Sequence, residues 1–317
     1  MPQANHAKPL SICFVHDDRI GHQKQLRGLE NQLMKRALCT THWVDQQSVA
    51  LLNHALRFDI CIGAGHKTHW PLWRLARRHR AFSVVLMTPS LPMFLFDAVI
   101  CPRHDDPRES SRVFVTKGPI NTIQHLTTPD RKPYENAPDR SPQHNLILLG
   151  GPSKHFNWSS ERILTTVKQL VRHDTDLPWL LSPSRRTPDT TIERIKAELP
   201  KLRFLSASHD LDQAIHRAKQ VWVSADSSNM IYEALSAAKP TGVIELATRH
   251  KLFRKNRLRN ELERLYRENH VMRLADLSPE SDINNRQQTG LHEAERATEW
   301  LLMRYETWRS KHEGQDV

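Results

Sequence analysis

Short apolar runs alternate with longer, periodically apolar stretches along most of this 317-residue chain. LSICFV (10–15) is continuously apolar and too short for a buried helix, so it reads as a buried strand. His22 to Lys35 follows with Leu26, Leu29, Leu33 and Met34 at helical spacing, which predicts a helix with one buried face. DICIG (59–63), FSVVLM (82–87), DAVIC (97–101) and RVFVTKG (112–118) predict further strands, and Lys67–His79 a basic helix. Residues 126–144 break the pattern: they hold four prolines and no apolar period, so they read as a linker. A second series opens with NLILLGG (145–151) and a helix from Ser159 carrying Ile163, Val167, Leu170 and Val171 on one face. WLLS (179–182) follows, then a helix with Thr187 as N-cap and Pro188 at its first position. RFLS (203–206), a helix near Leu211–Lys219, VWVS (221–224), a helix over Ser228–Ala238 and TGVIEL (241–246) complete it.

Strands that alternate with helices predict parallel sheets. Two such series around a linker predict an α/β protein of two Rossmann-like domains facing across a cleft. The expected divisions are a first Rossmann-like domain over 1–125, the linker over 126–144, a second Rossmann-like domain over 145–290 and a C-terminal helix over 291–317 that packs across both domains.

Composition narrows the functional classes. No apolar run approaches the ~20 residues of a membrane span. The opening MPQANHAKPL is polar and unlike a signal peptide, so a cytoplasmic location is expected. Cys13, Cys39, Cys61 and Cys101 lack metal or redox spacing, and three of them sit in apolar runs as small hydrophobes. His66 and His69 lie three apart without a third ligand, so no metal is expected. Lys plus Arg number 46 against 35 Asp plus Glu, a net charge of +11, which favours an anionic partner: a phosphorylated substrate, an acidic membrane or nucleic acid.

Ligands of open α/β sheets bind at the carboxyl ends of the strands. Three predicted strand ends of the second series carry suitable chemistry. NLILLGG is followed by Gly150, Gly151, Pro152 and Ser153, WLLS by Ser184, Arg185, Arg186 and Thr187, and VWVS by Asp226, Ser227, Ser228, Asn229 and Met230 at a helix start. Arginine forks and free helix N–H groups suit a diphosphate. One of these polar residues can cap the helix; the others need another reason. Glu233, one turn in and off the apolar face of Ile231, Ala234, Leu235 and Ala238, is placed to reach a ribose hydroxyl or to stand solvated on the surface. GAGHKT (63–68) lacks P-loop spacing, no G-x-G-x-x-G occurs, and Asp210-Leu211-Asp212 reads as a helix start. In the first series His22 opens a helix behind Gly21, after a strand end. An imidazole there suits a base that deprotonates a sugar hydroxyl, with Asp17, Asp18 and Asp105 as alternatives.

An ordered set of motifs carries a resemblance: Asp17-x-x-x-Gly-His-x-x-Gln-x-x-Gly-Leu29, IGAGHKT (62–68), FDAVICPRHD (96–105), VTKGPI (115–120), LGGPSKHF (149–156), SPSRRTP (182–188) and DSSNMIYEA (226–234). Together they resemble the mitochondrial-fission protein family of plants and its bacterial relatives, over about residues 10–246. That family is similar to GT-B glycosyltransferases. The resemblance implies a nucleotide-sugar held by the C-terminal domain, an acceptor by the N-terminal one, and no metal. It implies Glu233 as the ribose contact and Ser184, Arg185, Ser227 and Ser228 as diphosphate neighbours. The Gly21-His22 pair resembles the first-loop Gly-His of transferases acting on lipid-linked sugars. Asn229 stands where the family's stretch carries a second Ser.

Two stretches mix basic and apolar residues: HWPLWRLARRHR (69–80), near SLPMFLFD (90–97), and RHKLFRKNRLRNELERLYREN (249–269) with Phe253, Leu258, Leu262 and Leu265 on one side. Trp with Arg suits a membrane interface; the alternative is core packing with solvated charges. The expected partners are a nucleotide-sugar, a glycan or lipid-linked acceptor such as a lipopolysaccharide core, and an anionic inner-membrane surface at which the protein is peripheral. The rivals are a non-catalytic GT-B-like adaptor at a membrane, an epimerase on the same architecture and a nucleic-acid binder, for which no motif exists.

Overall fold

The computed structural model describes residues 8–53, 55–108, 110–123, 142–205, 211–249, 257–277 and 290–313. They form two compact units, one from the chain up to Thr122 together with the chain from His292, the other from Ile123 to Leu291. Most of the expected linker (124–141), Asp210, Ser206 and Phe253 lie outside the described residues.

The first unit runs β1 (Leu10–His16), α1 (Ile20–Arg36), β2 (Cys39–Asp45), β3 (Ile60–Ala64), α2 (His69–His79), β4 (Phe82–Leu86), β5 (Ala98–Pro102) and β6 (Val113–Thr116). The strands form one parallel sheet in the order β2-β1-β3-β4-β5-β6. The two-residue period of a strand sorts its side chains between two cores. Ile12 and Phe14 join Leu26, Leu29 and Leu33 of α1 on one face, while Cys13 and Val15 join Leu72 and Leu75 of α2 on the other. Each such buried aliphatic or aromatic side chain contributes about 1.5–3 kcal/mol. Strand β2 has no counterpart in the sequence reading. CTTHWVD is an edge strand whose polar positions alternate outward, so it offers no continuous apolar run.

The second unit runs β7 (His144–Leu149), α3 (Ser160–His173), β8 (Trp179–Pro183), α4 (Asp189–Glu198), β9 (Arg203–Phe204), α5 (Leu211–His216), β10 (Ala218–Ser224), α6 (Ser228–Ser236), β11 (Thr241–Ile244), α7 (Arg257–Arg267) and β12 (Met272–Arg273). Its sheet is also parallel, in the order β12-β11-β10-β7-β8-β9. Ile163, Val167 and Leu170 of α3 are buried, and Ser159 caps that helix by accepting the Arg162 N–H. The Thr187 cap does not form: α4 begins at Asp189 with Pro188 as its N-cap, because the Thr187 hydroxyl is engaged by the β7 end. Basic α7 turns Leu265 inward, with Leu258 and Leu262 packed on the same core.

Helix α8 (Glu293–Glu313) belongs to the first unit. Its Ala297, Leu301 and Tyr305 are buried in the α1-side core, and its Glu295 pairs with Arg36. Among the described residues no helix is long and apolar enough to cross a membrane. Cys13, Cys61 and Cys101 are buried as expected, and burial pushes the Cys13 thiol up to about 12.

Both sheets have a point at which the strand order reverses direction. In the first it lies between β1 and β3, and in the second between β7 and β10. Loops leaving two strands on opposite sides of the sheet open a crevice there, the usual ligand position in open α/β sheets.

Candidate functional site

The reversal point of the second unit gathers the polar residues singled out in the sequence. Asp226, fully buried, is the centre. Its Oδ2 accepts the Gly151 N–H (3.0 Å), the Arg186 Nη2 (2.8 Å) and the Ser227 hydroxyl (3.2 Å), and its Oδ1 accepts the Ser224 hydroxyl (2.8 Å). A buried carboxylate needs this degree of hydrogen bonding and a counter-charge. Ser224 Oγ in turn accepts the Gly150 N–H at 2.7 Å. From β8, the Ser184 hydroxyl donates to the Gly150 carbonyl (2.8 Å) and Thr187 Oγ1 to the same oxygen (2.5 Å).

This network changes the meaning of the Gly-Gly pair. Its N–H groups are committed to Ser224 and Asp226. The glycines are there for space: a Cβ on Gly150 would lie 2.1 Å from Ser227 Oγ, and one on Gly151 2.0 Å from the Arg186 carbonyl oxygen. Ser153 is likewise occupied, accepting the His155 and Phe156 N–H groups within its own turn.

What remains open is the start of α6. Ser227 is its N-cap by position, but the side chain makes no cap bond and donates to Asp226 instead. Among the described residues the N–H groups of Ser228, Asn229 and Met230 have no hydrogen-bond acceptor. A helix end in this state carries three donors and about half a positive charge. Arg185, in the loop between β8 and α4, is exposed. Glu233, one turn further in, is 3 % exposed, so the reading of a solvated surface carboxylate is overturned: α6 sits on β10 and β11 with Ile231 to Ser236 all buried.

The reversal point of the first unit holds a second cluster. Asp17, at the end of β1, is fully buried; both its carboxylate oxygens lie 2.9 Å from His22 Nδ1. Oδ1 also accepts the Arg19 N–H (3.1 Å) ahead of α1. A carboxylate only accepts, so His22 Nδ1 carries the hydrogen, and in the neutral ring the lone pair is on Nε2. His22 is partly exposed, its side chain at 14 %. Gly65, after β3, has φ +94° and lies under the ring; a Cβ there would meet His22 Nδ1 at 2.3 Å. His69 follows on α2. Its Nδ1 accepts from the Ser90 N–H (3.0 Å) and faces the Ser90 hydroxyl (2.8 Å), and burial, then the neighbouring His66 and His22, lowers it to about 4. It is a neutral imidazole at neutral pH.

Of the alternatives to His22, Asp17 is its partner and is sealed from solvent, Asp18 is exposed 3.9 Å from Lys67, and Asp105 accepts from Thr88. Ser224, Gly65 and Ser90 were not found from sequence. A hydroxyl ending an apolar strand and a serine twenty-one residues from its histidine leave no pattern in one chain.

Known proteins share this architecture. A UDP-GlcNAc 2-epimerase from Methanocaldococcus jannaschii, solved with UDP-GlcNAc and UDP, superimposes with a TM-score of 0.54 at 11% identity, covering 93% of this chain and 100% of that one. MurG of Acinetobacter baumannii gives 0.51 at 11% identity over 92% and 98%. These neighbours establish the GT-B fold for the chain. In sequence, the uncharacterized protein RP120 of Rickettsia prowazekii is 22% identical over 328 residues, 83% of this chain and 92% of that protein. Residues 11–305 match the family described as Mitochondrial fission ELM1. With nearly the whole length matched and the fold in agreement, the chain belongs to the Mitochondrial fission ELM1 family.

Proposed function

We propose that the chain is a metal-independent glycosyltransferase that moves a sugar from a nucleotide-sugar to a membrane-associated acceptor of the lipopolysaccharide-core type. The observation that carries this reading is the uncapped N-terminus of α6 at the reversal point of the second sheet, with Arg185 exposed in the loop that follows β8. Its support from likeness is that solved neighbours of this fold are described with UDP-GlcNAc and UDP.

In this mechanism the N–H groups of Ser228, Asn229 and Met230 receive the diphosphate, and Arg185 neutralises it. These donors gain strength as the leaving group takes on charge. Arg186, Ser184, Thr187, Asp226 and Ser227 hold the loops in place. Glu233 contacts the ribose. His22 Nε2 takes the proton of the acceptor hydroxyl, whose oxygen attacks the sugar's anomeric carbon; the bond to the diphosphate breaks and the diphosphate leaves with its electron pair. Asp17 fixes the tautomer of the neutral ring that has its lone pair on Nε2 and balances the imidazolium afterwards.

The epimerase neighbours favour a second reading, in which the sugar is altered without an acceptor. The test is to incubate the protein with sugar nucleotides, with and without membranes bearing lipopolysaccharide core, and follow nucleoside diphosphate and sugar. Acceptor-dependent release of diphosphate is the expected result. Epimerised sugar without an acceptor selects the second reading, and no turnover with any donor selects a binding protein.

A further inference from the structure

The first sheet is covered unequally. Two long helices, α1 and α8, share one of its cores. The other core is covered by the 11-residue α2 and by two short 3-10 turns, Val49–Leu51 and Met93–Leu95. This thin layer leaves large apolar side chains outside: Leu51 is 84% exposed, Phe94 73% and Trp70 53%. They share one side of the unit, because Val49, Trp73, Met93 and Leu95 all pack on the same core. Trp70 stacks on Trp73 at 5.0 Å, and Ser90 ties the 90–96 segment to the first turn of α2 through His69.

The segment that carries Trp70 and Phe94 is basic, with Lys67 3.9 Å from Asp18. Residues 60–96 contain Lys67, Arg74, Arg77, Arg78 and Arg80 and no Asp or Glu. Arg74, Arg77, Arg78 and Arg80 are all exposed, and Arg77 lies over the Trp73 ring. Exposed Trp and Phe among guanidinium groups without an ion pair among the described residues is the arrangement by which a helix lies in a bilayer interface: rings at the headgroup level, cations on anionic lipid. The other basic stretch of the chain behaves differently, since α7 spends its leucines on the core of its own unit.

We infer that the α2 face of the first unit, with Trp70 and Phe94 as its anchors and Arg74, Arg77 and Arg78 as its cations, docks on an anionic phospholipid bilayer. This deepens the acceptor side of the proposed function, but the docking involves neither donor nor transfer and stands or falls separately. An attraction of this kind is worth roughly a fivefold change in binding per basic residue and weakens with salt.

The experiment is co-sedimentation of the full chain with vesicles of phosphatidylglycerol in phosphatidylcholine, against pure phosphatidylcholine, across a salt series. Two variants accompany it, Trp70→Ala with Phe94→Ala, and Arg74→Glu with Arg77→Glu and Arg78→Glu. All five positions are on the surface, so the melting temperature of each variant should match the parent's. The expected result is binding to the anionic vesicles only, falling with salt, and reduced by tenfold or more in each variant. Absence of vesicle binding at low salt, or parental binding by both variants, would overturn the inference. So would binding of duplex DNA in place of vesicles, lost in the arginine variant, which would make the face a nucleic-acid surface.

Discussion

His22→Ala is expected to lower sugar transfer by on the order of 10³-fold while nucleotide affinity stays within about twofold, since general-base catalysis contributes about 10²–10⁴. The separation follows from topology. His22 belongs to the first unit and the α6 start to the second, so a change in the base leaves the donors that meet the diphosphate untouched. Asp17→Asn gives the companion result. The amide keeps an acceptor oxygen but loses the charge, and its NH2 can turn towards Nδ1 and favour the tautomer with Nε2 protonated. A loss of about 10²-fold is expected, again with nucleotide binding retained. Turnover unchanged in His22→Ala would remove this histidine from the mechanism. A fall in nucleotide affinity equal to the fall in rate would make its role structural.

The second large effect is on stability. Gly151→Ala is expected to destabilise the second unit by about 3 kcal/mol, the upper part of the usual range for overpacking. The added methyl would sit 2.0 Å from the carbonyl oxygen of Arg186 and 2.4 Å from its carbon. Both are backbone atoms of the turn after β8, whose Ser184 and Thr187 hydroxyls are bonded to the end of β7, so no side chain can turn away to make room. For a unit of this size the melting temperature should fall by roughly 6–12 °C. The atoms nearest to a methyl at Gly150 are side-chain oxygens of Ser227 and Asp226. These side chains give way only by loosening the Asp226–Arg186 ion pair, so the cost of Gly150→Ala should fall there and be smaller than that of a clash with backbone. Equal, negligible effects from both variants would show that the two loops are not packed as described.

The sheets were legible because their central strands are continuous apolar runs between amphipathic helices, and β1, β3, β4, β7 and β10 lie where LSICFV, DICIG, FSVVLM, NLILLGG and VWVS stand. Edge strands β2 and β12 were not. One alternates polar and apolar residues, and the other is two residues long, so neither carries the composition of a buried strand. In the candidate site, the residue types were legible and their assignments were not. Gly151, Arg186 and Asp226 were identified as ligand groups; the structure brings them together as a network that satisfies itself. The number of polar residues at the α6 start reflects this division. Asp226 and Ser227 hold the loops, and by turning inward they leave the helix end without a cap. Asp17 was weighed as a rival to His22. Its burial makes it the partner, and burial of a single polar residue has no signature in one sequence.

The central claim is that the open start of α6 receives a nucleoside diphosphate. The most direct measurement is a calorimetric titration of the purified chain with UDP, GDP, CMP and ADP, repeated on Glu233→Ala and on the exposed-site variant Arg185→Ala. The account predicts saturable binding of one nucleotide, weakened at least tenfold in each folded variant. The same affinity in parent and both variants, or no binding of any nucleotide, would contradict it and leave the α6 start as a helix end without a ligand.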